Sequence, residues 1–90
     1  RDERFGKWIG KQGNIDIMGK SADKNYVICL CAYDKAMVTS DDYELLLYLA
    51  DKAKISADHI YLFAGNRFDE KLSLEAKVRK NLRLLLLDNL

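Results

Sequence analysis

The chain predicts an α/β fold, a mixed sheet with helices packed against it, in the element order βββαβαβ. Three observations carry that expectation. The first third reads as apolar, strand-sized runs separated by turn signals, with no helical spacing among them. Two later stretches place apolar residues at helical intervals behind capping residues. Between and after them lie strand-sized apolar runs, so the second half reads as strand-helix-strand crossovers.

The first strand is expected over Phe5-Gly6-Lys7-Trp8-Ile9 and the second over Asn14-Ile15-Asp16-Ile17-Met18, joined by Lys11-Gln12-Gly13, where Gly13 supplies the positive φ such a turn needs. The polar stretch Gly19 to Asn25 is a second reversal. Tyr26 to Cys31 follows as a third strand, apolar on alternate residues of both parities, as for a strand covered from both sides. After a loop over Ala32 to Val38, Thr39 or Ser40 caps a helix running to about Lys54. Thr39 with Asp42 fits a capping box, and Asp41, Asp42 and Glu44 complement the positive end of the helix dipole. Leu46, Leu49, Ala50 and Ala53 form its inner stripe. His59 to Ala64 is a fourth strand stopped by Gly65-Asn66. Phe68, Leu72 and Ala76 mark the inner side of a second helix, opened by Asp69 and Glu70 and closed by Lys77, Arg79 and Lys80. Leu82 to Leu87 completes the crossover as a strand, although a leucine-rich run by itself favours helix.

With 90 residues the chain holds one domain, and such a domain buries only roughly 60 to 65 % of the surface its unfolded chain exposes. A net charge of +1 provides no global field to attract nucleic acid. No apolar run approaches the roughly 18 residues that cross a bilayer, and no signal region follows Arg1-Asp2-Glu3-Arg4, so a soluble, cytoplasmic protein without membrane contact is expected. A start at Arg1 suggests a fragment of a longer protein. Cys29 and Cys31 lie two apart on a strand, share a face and cannot readily bridge each other; with His59 alone to supplement them they make a poor zinc set, so reduced core cysteines are expected.

Several of these segments, in this order and spacing, resemble the C-terminal nuclease-like domain of archaeal-type AAA ATPases, within the PD-(D/E)xK restriction-endonuclease-like superfamily. The resemblance rests on Phe5-Gly6-Lys7-Trp8-Ile9-Gly10, Asn14-Ile15-Asp16-Ile17, the strand ending at Tyr33, Ile60-Tyr61-Leu62-Phe63-Ala64 with Phe68-Asp69-Glu70, and Leu86-Leu87-Asp88-Asn89-Leu90. It implies a restriction-endonuclease-like sheet and an ATPase domain as partner, in the same full-length chain or in another protein. It also exposes a defect. The family strand Gly-Glu-Cys-Lys-Trp maps onto Cys29-Leu30-Cys31-Ala32-Tyr33, so the carboxylate and the lysine that would hold Mg²⁺ and orient water are replaced by Leu30 and Ala32.

Asp16 therefore stands as a vestigial catalytic carboxylate and a weak metal candidate, since Mg²⁺ gains little from one carboxylate. The domain reads as a pseudo-nuclease, a binding or regulatory module without cofactor, more a contact surface for protein or DNA than an enzyme. The alternative is a Mg²⁺-dependent DNA nuclease in which Asp34, Lys35 and Glu44 replace the missing groups from neighbouring elements. Against it, Asp34-Lys35 reads more simply as a polar loop and Glu44 as a charge at the helix N-terminus. Trp8, Tyr26, Tyr33, Tyr43, Tyr48, Tyr61, Phe63 and Phe68 offer either base-stacking surfaces or, more in keeping with their spacing, core. Lys7, Lys11, Lys20 and Lys24 read as solvated turn charges that can touch phosphates. An uncovered final strand would provide an edge for homo-oligomer formation. No Gly-rich phosphate loop is present, so ATP binding is not expected here.

Overall fold

The computed structural model describes residues 7–12, 15–22, 25–54 and 58–87, with only the backbone described over 7–26. The elements run β1 (Lys7–Gln12), β2 (Ile15–Ala22), β3 (Asn25–Ala32), α1 (Ser40–Lys52), β4 (His59–Ala64), α2 (Glu70–Val78) and β5 (Leu82–Leu86). They build one five-stranded sheet in the order β1-β2-β3-β4-β5. β1, β2 and β3 form an antiparallel meander. β3, β4 and β5 are parallel and alternate with the two helices. The fold is thus α/β, with a βαβαβ unit attached to a meander, and the leucine-rich last run is a strand.

The largest departures from the sequence reading lie in the meander; elsewhere α1 ends at Lys52, α2 ends at Val78, and Phe68, read as part of the second helix, precedes it. β1 continues through Lys11 and Gln12, which pair with Asp16 and Ile15, and its register shifts between Trp8 and Gly10 as at a β-bulge. β2 continues through Gly19, Lys20, Ser21 and Ala22, which pair with Ile28, Val27, Tyr26 and Asn25. Polar composition marked Gly19 to Asn25 as a reversal. Pairing against a long, apolar neighbour overrides that local signal, because strand preference depends on what a residue pairs with. The turn glycine Gly13, together with Phe5-Gly6, Lys24 and Asp88-Asn89-Leu90, lies outside the described residues.

The core lies on one face. Register aligns Ile28, Ile60 and Leu82 in one row, Leu30, Leu62 and Leu84 in the next, and Ala32, Ala64 and Leu86 in a third. Most of these residues are buried, and they cluster with Tyr43, Leu46 and Ala50 of α1 and Leu72 of α2. Leu49 and Ala76 pack at its margin, whereas Ala53 is the C-cap of α1 and exposed. Both helices therefore cover the same face. Successive crossovers that advance in one direction along a sheet with one handedness deposit their helices together.

That arrangement, three parallel strands alternating with two helices on one face, corrects the expectation of a strand covered from both sides and of a restriction-endonuclease-like sheet flanked by helices. On the second face of β3, Val27, Cys29 and Cys31 are only half-buried, as are Tyr61 and Phe63 on β4 and Leu85 on β5. Among the described residues no helix lies over this face. The cysteines thus sit outside the helix-covered core and form no disulfide. Mutual proximity and partial burial show in Cys29, whose thiol is pushed above its ordinary range, first by desolvation and then by Cys31. No helix among the described residues is long and apolar enough to cross a membrane.

Candidate functional site

The C-terminal ends of parallel strands are where open α/β sheets gather ligand-binding loops. Here those loops follow β3 and β4, and they carry Asp34 and Lys35. Gly65 directly after β4 packs so close to the β3 loop that a Cβ there would stand 2.1 Å from the Tyr33 carbonyl oxygen. The Asn66 side-chain amide donates to the Lys35 carbonyl at 2.8 Å. Val38 N–H donates to the Arg67 carbonyl at 2.9 Å and Asp69 N–H to the Val38 carbonyl at 3.0 Å, closing a parallel bridge between Val38 and Phe68. The two helix N-termini are held side by side as a result.

Each N-terminus is filled by a carboxylate of this chain. Asp42 is the third helical residue of α1. It accepts from Thr39 N–H at 2.9 Å, while the Thr39 hydroxyl accepts from Asp42 N–H at 3.4 Å, which completes the capping box read from sequence. Asp69 caps α2 by accepting from Leu72 N–H at 2.7 Å and reaches across to accept from Ser40 N–H of α1 at 3.2 Å. Helix N-termini attract anions through their unpaired N–H groups and dipole. Thr39, Ser40 and Leu72 N–H already have carboxylate partners here.

Lys35, a candidate lysine for a displaced nuclease site, serves this same network. Its ammonium donates to both oxygens of Asp42, at 3.0 and 2.8 Å, where Asp42 is the buried charged residue. Asp34 lies in the turn after β3 and is exposed. Glu44 is exposed on α1, where its charge acts on Tyr43 and Arg79. Arg79 pairs with Glu75 one helical turn earlier. Among the described residues no three His, Cys, Asp or Glu side chains gather into a metal-sized group.

The register decides how position 16 relates to the two replaced residues. Asp16 pairs with Cys31, and Ile17 with Leu30. Directly opposed residues of an antiparallel pair share a sheet face. Position 16 therefore belongs to the half-open face with Cys29, Cys31 and Phe63. Leu30 and Ala32, 0 % and 1 % exposed, belong to the helix-covered face. The three places of the nuclease motif are divided between opposite sides of the sheet.

The aromatics divide too. Tyr43 is core, Phe68 packs against the core, and Tyr33 and Tyr48 are exposed. Tyr61 and Phe63 share the half-open face with ring centroids 6.5 Å apart. The side chains of Trp8, Tyr26, Lys7, Lys11 and Lys20 lie outside the described residues. Sequence reasoning missed the Lys35–Asp42 pair and the double role of Asp69. The spacing signalled the caps, but nothing in it shows that one carboxylate reaches a second helix.

Comparison with protein-family models, with curated proteins and with solved structures finds no match to this chain.

Proposed function

We propose that this domain is a non-catalytic interaction module whose partner is a protein, with an ATPase domain the partner implied by the sequence resemblance. The observation that supports this reading is the placement of Leu30 and Ala32 in the dry core, on the side of the sheet opposite position 16. Two further facts agree with it. Lys35 is engaged by Asp42, and the helix N-termini are engaged by Asp42 and Asp69.

The surface this reading assigns to the partner is the second face of the sheet. Parallel strands are ordinarily covered on both faces. From residue 27 onward this face is apolar and aromatic, with Cys29, Cys31, Tyr61, Phe63 and Leu85; His59 lies at one end of it, and Arg83, beside Tyr61, on its edge strand. Aromatic centres with arginine at the side suit protein partners. A Mg²⁺ and Mn²⁺ titration followed by NMR at Asp16, Asp34 and Glu44, run beside a DNA-cleavage assay, tests the reading. No site-specific shift and no cleavage are expected. Saturable shifts centred on Asp16, with metal-dependent cleavage lost in Asp16→Ala, would overturn it.

A further inference from the structure

We propose that β5 is a self-pairing edge, and that two copies of this chain join through an antiparallel β5–β5 ladder with its two-fold axis at Leu84. This goes beyond the contact assigned to the sheet's second face and does not depend on it. β5 ends the sheet, and among the described residues it pairs with β4 alone. Natural edge strands are commonly blunted by short length, charged side chains, proline or a bulge; of these β5 has its five residues and the single charge of Arg83. β5 reads Leu82-Arg83-Leu84-Leu85-Leu86 and has no proline, while Leu84, Leu85 and Leu86 remain half-exposed.

The hydrogen-bond alternation selects the register. Ile60 N–H of β4 donates to the Asn81 carbonyl at 2.8 Å. In a parallel ladder alternate residues bond to the same neighbour, so residues 81, 83 and 85 turn their backbone groups toward β4. Leu82, Leu84 and Leu86 then turn theirs toward the free edge, apart from Leu82 N–H, which donates to the Arg79 carbonyl at 3.2 Å. An antiparallel pair centred on Leu84 opposes Leu84 with its own copy and Leu82 with Leu86, so the outward-turned residues meet one another. The same register sets Arg83 against Leu85 of the second copy. Like charges never meet, and every other opposed pair is leucine on leucine. The two helix-covered cores become continuous past the half-exposed Leu84 and Leu86. The interface is closed and isologous, ending at a dimer.

Sedimentation equilibrium of the chain from about 10 µM to about 1 mM tests this, with a Kd on the order of 10–100 µM expected for an interface of this small size. Leu84→Pro removes an N–H that the β4–β5 ladder does not use, and Leu85→Arg sets two arginines against each other in this register. Each is expected to weaken the dimer by at least about tenfold, the scale of one lost or repelled contact. Arg83→Glu added to Leu85→Arg replaces that repulsion by attraction and is expected to restore the dimer. Should Leu84→Pro fail to fold by circular dichroism, the charge pair decides alone. A monomer at every concentration, a dimer indifferent to Leu85→Arg and its rescue, or open-ended assembly would overturn the proposal. Metal-dependent DNA cleavage would leave it standing, because that outcome bears on the other face.

Discussion

A carboxylate at position 30 would have to ionise on the Leu30–Leu62 row, where both leucines are 0 % exposed and the neighbouring positions are apolar. Leu30→Glu, which restores one residue of the nuclease motif, is expected to cost at least about 3 kcal/mol, a large part of the stability of a domain this size. Urea denaturation measures it, and a loss under about 1 kcal/mol would mean that the residue 30 side chain reaches water. Asp42 shows the opposite case, a charge tolerated because it is partnered. It is 7 % exposed yet meets the Thr39 backbone and the Lys35 ammonium. The Lys35 side chain is 39 % exposed, so solvent screens the ion pair and the cap carries more of the stabilisation. Thr39 and Asp42 were legible as a cap from their spacing. The Lys35 contact was not, since only the turn after β3 brings residue 35 back over the start of α1.

At the level of elements, Asp69 couples the two helices. Its carboxylate caps α2 and accepts from the first residue of α1, so one substitution unsatisfies N–H groups on both. Asp69→Ala is expected to destabilise the domain by about 2 kcal/mol, the upper end for a lost N-cap. Asp69→Asn, which keeps a capping oxygen, should recover more than half of that loss in thermal or urea melts. Equal losses in the two variants would show that charge, rather than the hydrogen bonds, holds the helices together. The helices and the parallel strands were readable because caps, helical stripes and apolar runs are local signals. β2 was not readable in full. Gly19 to Ala22 carry no strand signal of their own and are recruited by pairing with Tyr26, Val27 and Ile28.

Across the molecule, the described residues form a sheet with both helices on one face, and its titration behaviour follows from what those helices bury. Tyr43 lies in the core between the helices, and burial pushes its hydroxyl above the ordinary 10.0; Glu75 and Glu44 push the same way, and Arg79 opposes them. Below pH 10.0 the tyrosine is protonated in both the folded and the unfolded chain and adds no pH dependence. Above it the unfolded chain releases the proton first, so stability falls as pH climbs from 10.0 through the raised folded value. In Tyr43→Phe the fall of urea stability over that alkaline window should be shallower; an unchanged slope would place the hydroxyl in water.

The sequence by itself determined the order of the elements, the helix caps, the core stripes and the replacement at positions 30 and 32, because each is a matter of residue type at short spacing. Only the tertiary structure decided that both helices lie on one face, that Asp16 shares its side of the sheet with Cys31 rather than Leu30, and that Lys35 is tied to Asp42. Those depend on strand register and crossover direction, which are set by contacts between residues far apart in the chain.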